Sequence, residues 1–146
     1  MAEPSGEQPS GERPAGEPPP AAGGPGRLLV AVYGVFALAA GARAVVQLAT
    51  RYAEAPVAYL LSALAAAVYV VATVALARGG RRTALVAITV ELVGVLVVGT
   101  LSLLEPAAFP DETVWSAYGR GYLFIPLVLP VAGLLWLRRT ARTPSR

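Results

Sequence analysis

The chain has 146 residues, of which 55% are hydrophobic and 14% charged, whereas roughly a quarter of the residues in soluble domains are charged. A fold in water could not bury that much apolar surface, so we expect a single domain embedded in lipid. The sequence holds no Cys and no His, which excludes disulfides, thiolate nucleophiles and the usual zinc sites. We therefore expect neither a cofactor nor a bound metal.

Residues 1–26 form a low-complexity segment rich in Pro, Gly and Glu. Degenerate five-residue repeats begin at Ser5, Ser10 and Ala15, and no apolar residue larger than Ala follows Met1. Such a segment cannot bury enough surface to offset its ordering entropy, so we expect it to be disordered and cytoplasmic. It also lacks the basic start of a signal peptide.

Four apolar stretches follow, and each is predicted to be a transmembrane helix. A helix needs about 20 residues to cross a hydrocarbon layer of about 30 Å, and the alternating pattern of a strand is absent. The predicted spans are residues 28–49, 57–77, 83–104 and 119–137. The expected fold is an all-α membrane protein, with a four-transmembrane-helix bundle in residues 27–138 after the disordered segment.

Arginines mark one side of these spans. They lie at Arg27, in the turn from Arg78 to Arg82, and in a basic tail over residues 139–146. The other two loops hold Arg51 with Glu54, and Glu105, Asp111 and Glu112 with Arg120. Because basic loops stay in the cytoplasm, we expect a plasma-membrane protein with both termini cytoplasmic. Its expected partners are the lipid bilayer and anionic lipid head groups at the basic loops; nucleic acid is not expected.

Aromatic, polar and small residues predict how the helices sit and pack. Trp115, Tyr118 and Tyr122 are expected at the outer membrane interface and Trp136 at the inner one. Stripes at helical spacing are expected to face inward: Tyr33, Phe36, Ala40, Arg43 and Gln47 on the first helix, and Tyr59, Ser62, Ala66, Tyr69 and Thr73 on the second. Gly41 and Gly99 are expected to permit close helix approach. On the fourth helix Pro126, Pro130 and Gly133 share a face, and the two prolines predict a kink.

Arg43 and Glu91 are the only ionisable side chains, tyrosines aside, well inside the predicted spans. Their Cα atoms are expected to differ in depth by about 10 Å. They could form an ion pair that pins the first helix to the third. Arg43 could instead reach outward to head groups while a protonated Glu91 is hydrogen-bonded by Gln47, Tyr69 or Thr73. Glu91 could also serve as a proton or cation site.

Three parts of the sequence resemble a family of small four-helix actinobacterial integral membrane proteins. They are the run from Tyr33 to Gln47, the segment Glu91–Leu96, and the stretch from Trp115 through Tyr122 to Pro130. The resemblance covers about residues 27–140 and implies four helices, with no assigned function and no functional residues. Small multidrug exporters also have four helices and one membrane glutamate, but theirs lies in the first helix.

The leading functional hypothesis is a non-enzymatic accessory or interaction protein of the plasma membrane, acting with a membrane-protein partner or as a homo-oligomer. The alternative is a small oligomeric transporter or channel-like protein that uses Glu91 and the carbonyls freed by the prolines of the fourth helix. An enzyme ranks third, because the adjacent acids Asp111 and Glu112 lie on a loop, where such pairs are usually only solvated. We expect no catalytic residues.

Overall fold

The computed structural model describes residues 24–142, so the predicted disorder of residues 1–23 and the end of the basic tail lie outside the described part. Residues 24–142 form helices and no strand. The four long helices are α1 (Pro25–Thr50), α2 (Pro56–Arg78), α3 (Arg81–Leu104) and α4 (Ile125–Arg142). The helical structure thus begins inside the segment expected to be disordered, and α4 continues into the predicted tail.

The helix boundaries follow from local chemistry. Pro25 and Pro56 occupy the first turns of α1 and α2, where a missing N–H costs no helical hydrogen bond. Gly79 ends α2 with a left-handed φ of 72°, and the N–H of Gly80 donates to the carbonyl of Ala75 at 2.8 Å. This closing pattern lets α3 start at once, because glycine adopts positive φ without steric cost.

The first three helices are each long and apolar enough to cross a membrane, with mean hydropathies of 2.0, 2.3 and 2.4 over their most apolar windows. Large apolar side chains cover their outer faces; Leu38, for example, is 78% exposed. A surface of this kind is stable in hydrocarbon and not in water. Over residues 24–142 the structure therefore confirms an all-helical fold with three to four candidate membrane-spanning helices.

The fourth predicted span, residues 119–137, is not one continuous helix in the structure. The short helical segment Ser116–Tyr122 meets α4 at an angle of 99°, so the regular helix begins only at Ile125. The apolar part of α4, from Ile125 to Leu137, is about 20 Å long at 1.5 Å per residue. That length is short of a hydrocarbon layer of about 30 Å.

The connecting segment, residues 105–124, occupies the space that the short α4 leaves beside α3. Trp115 is only 1% exposed, and its ring lies against Gly94 near the middle of α3. The prediction that Trp115 anchors the outer interface is therefore wrong, because the segment turns back into the bundle. The end of the bundle where α1 and α3 end and α2 and α4 begin is called the connection end below.

The helices pack in chain order: α1 on α2, α2 on α3, and α3 on α4, whereas α1 and α4 make few contacts. The start of α1, the α2–α3 turn and the end of α4 meet at the opposite end, called the arginine-rich end. Its cations are Arg27, Arg78, Arg81, Arg82, Arg138 and Arg139. Arg81 donates to the carbonyl of Leu137, which ties the start of α3 to the last turns of α4.

Candidate functional site

Glu91 lies in the middle of the bundle and is 0% exposed. Its Oε2 accepts a hydrogen bond of 2.6 Å from the hydroxyl of Tyr33 on α1. Its Oε1 is buried and has no hydrogen-bond partner. A buried carboxyl group with one unsatisfied oxygen costs free energy, so this group is the first candidate for a functional role.

The inward face of α4 leaves space for the hydrogen-bonded pair of Tyr33 and Glu91. Pro126, Pro130 and Gly133 are all buried, as their common face predicts. A Cβ added to Gly133 would lie 3.1 Å from Cδ1 of Ile88 and 3.5 Å from the Tyr33 hydroxyl. Glycine at this position therefore allows α4 to approach α3 and α1 where Tyr33 meets Glu91.

Arg43 does not pair with Glu91. Its guanidinium donates 2.8 Å hydrogen bonds to the hydroxyl of Tyr122 and to the carbonyl of Glu112, both in the connecting segment. The predicted ion pair is thus corrected, for a reason of depth: Arg43 lies ten residues after Tyr33 on α1, which is about 15 Å along the helix axis. Arg43 instead reaches away from Glu91, as in the second interpretation, but to protein groups and not to lipid head groups.

The three predicted neighbours of Glu91 have other contacts. Tyr69 is buried and its hydroxyl accepts a hydrogen bond of 3.1 Å from Nε1 of Trp115. The hydroxyl of Thr73 donates to the carbonyl of Tyr69 in its own helix. Gln47 is buried, and its Oε1 has no hydrogen-bond partner. Tyr33 is therefore the neighbour that the sequence interpretation missed, although it lies on the inward stripe of α1 and at the depth of Glu91.

Aromatic rings join this buried pair to the connecting segment. The ring centroids of Tyr33 and Tyr69 are 6.2 Å apart, those of Phe36 and Tyr69 5.5 Å, and those of Tyr69 and Trp115 6.5 Å. Tilted and edge-on pairs at these separations add to the stability that burial gives. The rings make the interior a packed aromatic layer between Glu91 and the connection end.

Polar groups of three helices hold the connecting segment. The hydroxyl of Tyr59 on α2 donates to Asp111 at 2.9 Å, and the hydroxyl of Ser102 on α3 accepts from the N–H of Ala117 at 2.8 Å. Arg43 provides the contact from α1. Of the two acids considered for catalysis, Asp111 thus attaches the segment through its carboxylate and Glu112 through its backbone carbonyl.

The backbone of the connecting segment is strained where it turns. Ala117 and Tyr118 have φ values of 48° and 60°, followed by Gly119 at 83°. Non-glycine residues in the left-handed region cost free energy and persist only where surrounding contacts hold them. A Cβ on Gly119 would lie 2.7 Å from the ring of Pro126, so the turn also needs glycine for space.

Gly99→Ala is expected to lower the free energy of unfolding by about 2 kcal/mol, through overpacking. An added Cβ would overlap the ring of Tyr118 and lie 2.9 Å from the backbone nitrogen of the same residue. Gly99 thus makes room for the connecting segment and not for another helix. Gly41→Ala is the control, because a Cβ there has no atom within 4 Å; unfolding titrations in detergent that give equal losses would contradict this assignment.

Within residues 24–142, no three His, Cys, Asp or Glu side chains converge as a metal site would require. The groups that the site does bring together are one carboxyl, two phenols and an indole. These groups can exchange hydrogen bonds and, at Glu91, hold a proton.

Comparisons of the chain with protein-family models, curated proteins and solved structures found no match. The resemblance to the small four-helix actinobacterial membrane proteins therefore stays a prediction.

Proposed function

We propose that the protein is a non-enzymatic accessory or interaction protein of the plasma membrane, which presents the connecting segment at the outer membrane surface to a membrane-protein partner. The single observation that carries this proposal is that polar side chains of three helices are hydrogen-bonded to the connecting segment. Arg43, Tyr59 and Ser102 come from three different helices, and each binds the connecting segment. A bundle that commits these groups to one loop is built to hold that loop in shape.

The exposed part of the connecting segment is the surface offered to the partner. Ala107, Ala108 and Pro110 are exposed at its start, and Leu123 at its end is 84% exposed. Apolar side chains fixed on a stable loop lose little conformational entropy on binding, which favours association.

The orientation in this proposal rests on the arginines. The start of α1, the α2–α3 turn and the end of α4 all carry arginines at the same end of the bundle. Basic loops remain cytoplasmic. Both termini are then cytoplasmic and the connecting segment is outside.

Cysteine labelling tests this orientation, because the chain has no cysteine of its own. With Ala107→Cys, an impermeant maleimide added to intact cells is expected to label the protein. With Ala141→Cys, labelling is expected only after the cells are permeabilised. Labelling in the reverse order would contradict the proposed topology.

A site-specific photocrosslinker at position 107 tests the partner. In native membranes it is expected to capture one dominant membrane protein, and Arg43→Gln is expected to reduce the capture because it loosens the connecting segment. The same crosslinker at position 77, which is exposed near the arginine-rich end of α2, is the matched control. Equal capture at both positions, or capture of lipid alone, would contradict the proposal.

The second candidate is a small oligomeric transporter that uses Glu91. It is favoured by one observation, the unsatisfied Oε1 of a fully buried carboxyl group, since ionisable residues inside a membrane commonly mark ion or proton pathways. Proton flux into liposomes that disappears in a folded Glu91→Gln variant would support this candidate. Flux equal to that of empty liposomes for the unmodified protein would exclude it.

A further inference from the structure

The helices of the bundle do not reach the same height at the connection end. Gly133 of α4 packs against Ile88 of α3 and the hydroxyl of Tyr33 on α1, and this contact sets the relative depth of the three helices. Beyond Ile88, α3 continues for about 24 Å to its end at Leu104. In the same direction α4 extends only about 12 Å from Gly133, to Ile125. The bundle is therefore about 12 Å shorter on the side formed by α4, called the α4 side below.

The connecting segment does not extend the α4 side to the full height. Its first half packs on the ends of α1 and α2, where Phe109 contacts the cluster of Ala55, Ala58 and Tyr59. Its second half, Ser116–Tyr122, meets α4 at 99° and so crosses the bundle instead of lengthening α4. The segment thus covers the neighbouring helices and leaves the α4 side short.

Charged side chains mark the end of the α4 side. Arg120 is exposed shortly before the start of α4. Glu112 is also exposed, and its Oε2 would lie 3.7 Å from a Cβ built on Gly121. Next along the chain come two apolar side chains, Leu123 and Phe124, which are 84% and 45% exposed. The boundary between polar and apolar surface on this side therefore lies at the start of α4, about 10 Å below the end of α3.

A bilayer of uniform thickness does not match this boundary. Charged side chains in hydrocarbon are costly, and an arginine or a glutamate can reach toward head groups only over its own length. A span that is shorter than the hydrocarbon layer is matched either by local thinning of the bilayer or by association with another protein. Because the boundary carries Arg120 and Glu112, an interface with a second copy would bury both charges at a cost. Zwitterionic head groups and water solvate both.

We propose that the lipid leaflet at the connection end thins against α4, so that phospholipid head groups and water reach Arg120 and Glu112. The interaction surface is the boundary formed by these two side chains beside Leu123 and Phe124, and its partner is a locally thinned phospholipid leaflet. The other three helices are long enough to span the full hydrocarbon layer, so the thinning is confined to the α4 side. The proposal requires the chain to lie in a bilayer, but it rests neither on the protein partner nor on transport by Glu91.

Fluorescence quenching of the full chain in phosphatidylcholine vesicles tests the proposal. A small fluorophore attached to Leu123→Cys reports on the α4 side. The same fluorophore on Val97→Cys is the matched control, because Val97 is 49% exposed on α3 and lies at a similar height, about 14 Å from the contact of Ile88 with Gly133. A nitroxide on the lipid head group is expected to quench the label at position 123 about threefold more than the label at position 97. Equal quenching at the two positions would overturn the proposal.

Two further measurements on the same proteins identify other occupants of this space. Iodide quenching at position 123 without quenching by the head-group nitroxide would overturn the proposal in favour of a water-filled crevice. Disulfide formation between two unlabelled Leu123→Cys chains, together with protection of the label from iodide and from the nitroxide, would overturn it in favour of a second copy. Quenching by both reagents at position 123 supports a thinned leaflet.

Removal of the two charges tests their role in the thinning. Arg120→Leu with Glu112→Leu is expected to lower the head-group quenching at position 123 to the level at position 97, because the polar boundary is lost. Arg51→Leu with Glu54→Leu is the matched control, since both residues are exposed between α1 and α2 at the same end of the bundle, and it is expected to change nothing. Equal effects of the two pairs would overturn the proposal. Circular dichroism checks that each variant is folded, and the comparison of positions 123 and 97 decides the proposal without these variants.

Discussion

Trp115→Ala is expected to lower the free energy of unfolding by about 3–5 kcal/mol, the range observed for truncation of buried aromatic residues. The ring is almost fully buried against Gly94, and its indole N–H donates to Tyr69. Its removal leaves a cavity beside the middle of α3 and leaves the Tyr69 hydroxyl without that donor. The loss is measured by titration with detergent or denaturant, with the helix content monitored by circular dichroism.

Two further variants separate burial from interfacial anchoring. Trp115→Phe keeps an aromatic ring in the site and is expected to lose less stability than Trp115→Ala. Trp136→Ala removes a half-buried ring at the arginine-rich end and is also expected to cost less. If the alanine variants at both tryptophans cost the same small amount, Trp115 is an interfacial residue and the packed connecting segment is wrong.

Tyr33→Phe is expected to destabilise the protein by about 3 kcal/mol, because it leaves both oxygens of the buried Glu91 without a hydrogen bond. Glu91→Leu alone is also expected to destabilise it, since the Tyr33 hydroxyl is then buried without its acceptor. The double variant Tyr33→Phe with Glu91→Leu is expected to recover most of the loss, because replacing both partners by apolar groups leaves no unsatisfied group. Unfolding free energies of the four proteins provide the measurement.

The same cycle with Arg43 tests the ion pair that the sequence predicts between Arg43 and Glu91. Arg43→Leu removes hydrogen bonds to Tyr122 and Glu112, and the structure separates these contacts from Glu91. The losses from Arg43→Leu and Glu91→Leu are therefore expected to add within ~0.5 kcal/mol. Recovery in the Arg43→Leu with Glu91→Leu protein would show that the two charges interact after all.

The inward faces of α1 and α2 could be predicted from spacing alone. Tyr33, Phe36 and Ala40 on α1 and Tyr59, Ser62 and Tyr69 on α2 are buried, because polar and aromatic side chains at helical spacing cluster on one face. The sequence also placed Pro126, Pro130 and Gly133 on a common face, and that face is buried. These predictions succeed because they need only the geometry of a single helix.

The partners across helices could not be predicted in the same way. The sequence predicts that Glu91 meets Arg43, Gln47, Tyr69 or Thr73, whereas its hydrogen bond comes from Tyr33. Which of these side chains meets Glu91 depends on the relative depth of the helices along the bundle axis. The sequence does not give the path of the connecting loops, so it does not fix that depth. Depth counted from the ends of α1 and α3 would have favoured Tyr33 over Arg43.

By itself the sequence determined that apolar helices form, where the first three begin and end to within about three residues, and which faces of α1 and α2 point inward. Hydropathy and periodicity are properties of consecutive residues, so about 20 of them suffice to define a span. Only the tertiary structure decided that Trp115 enters the bundle, that Arg43 binds the connecting segment and that Tyr33 meets Glu91. Those contacts depend on the space left by a short α4 and by two glycines of α3, Gly94 and Gly99, and such space exists only once the helices have packed.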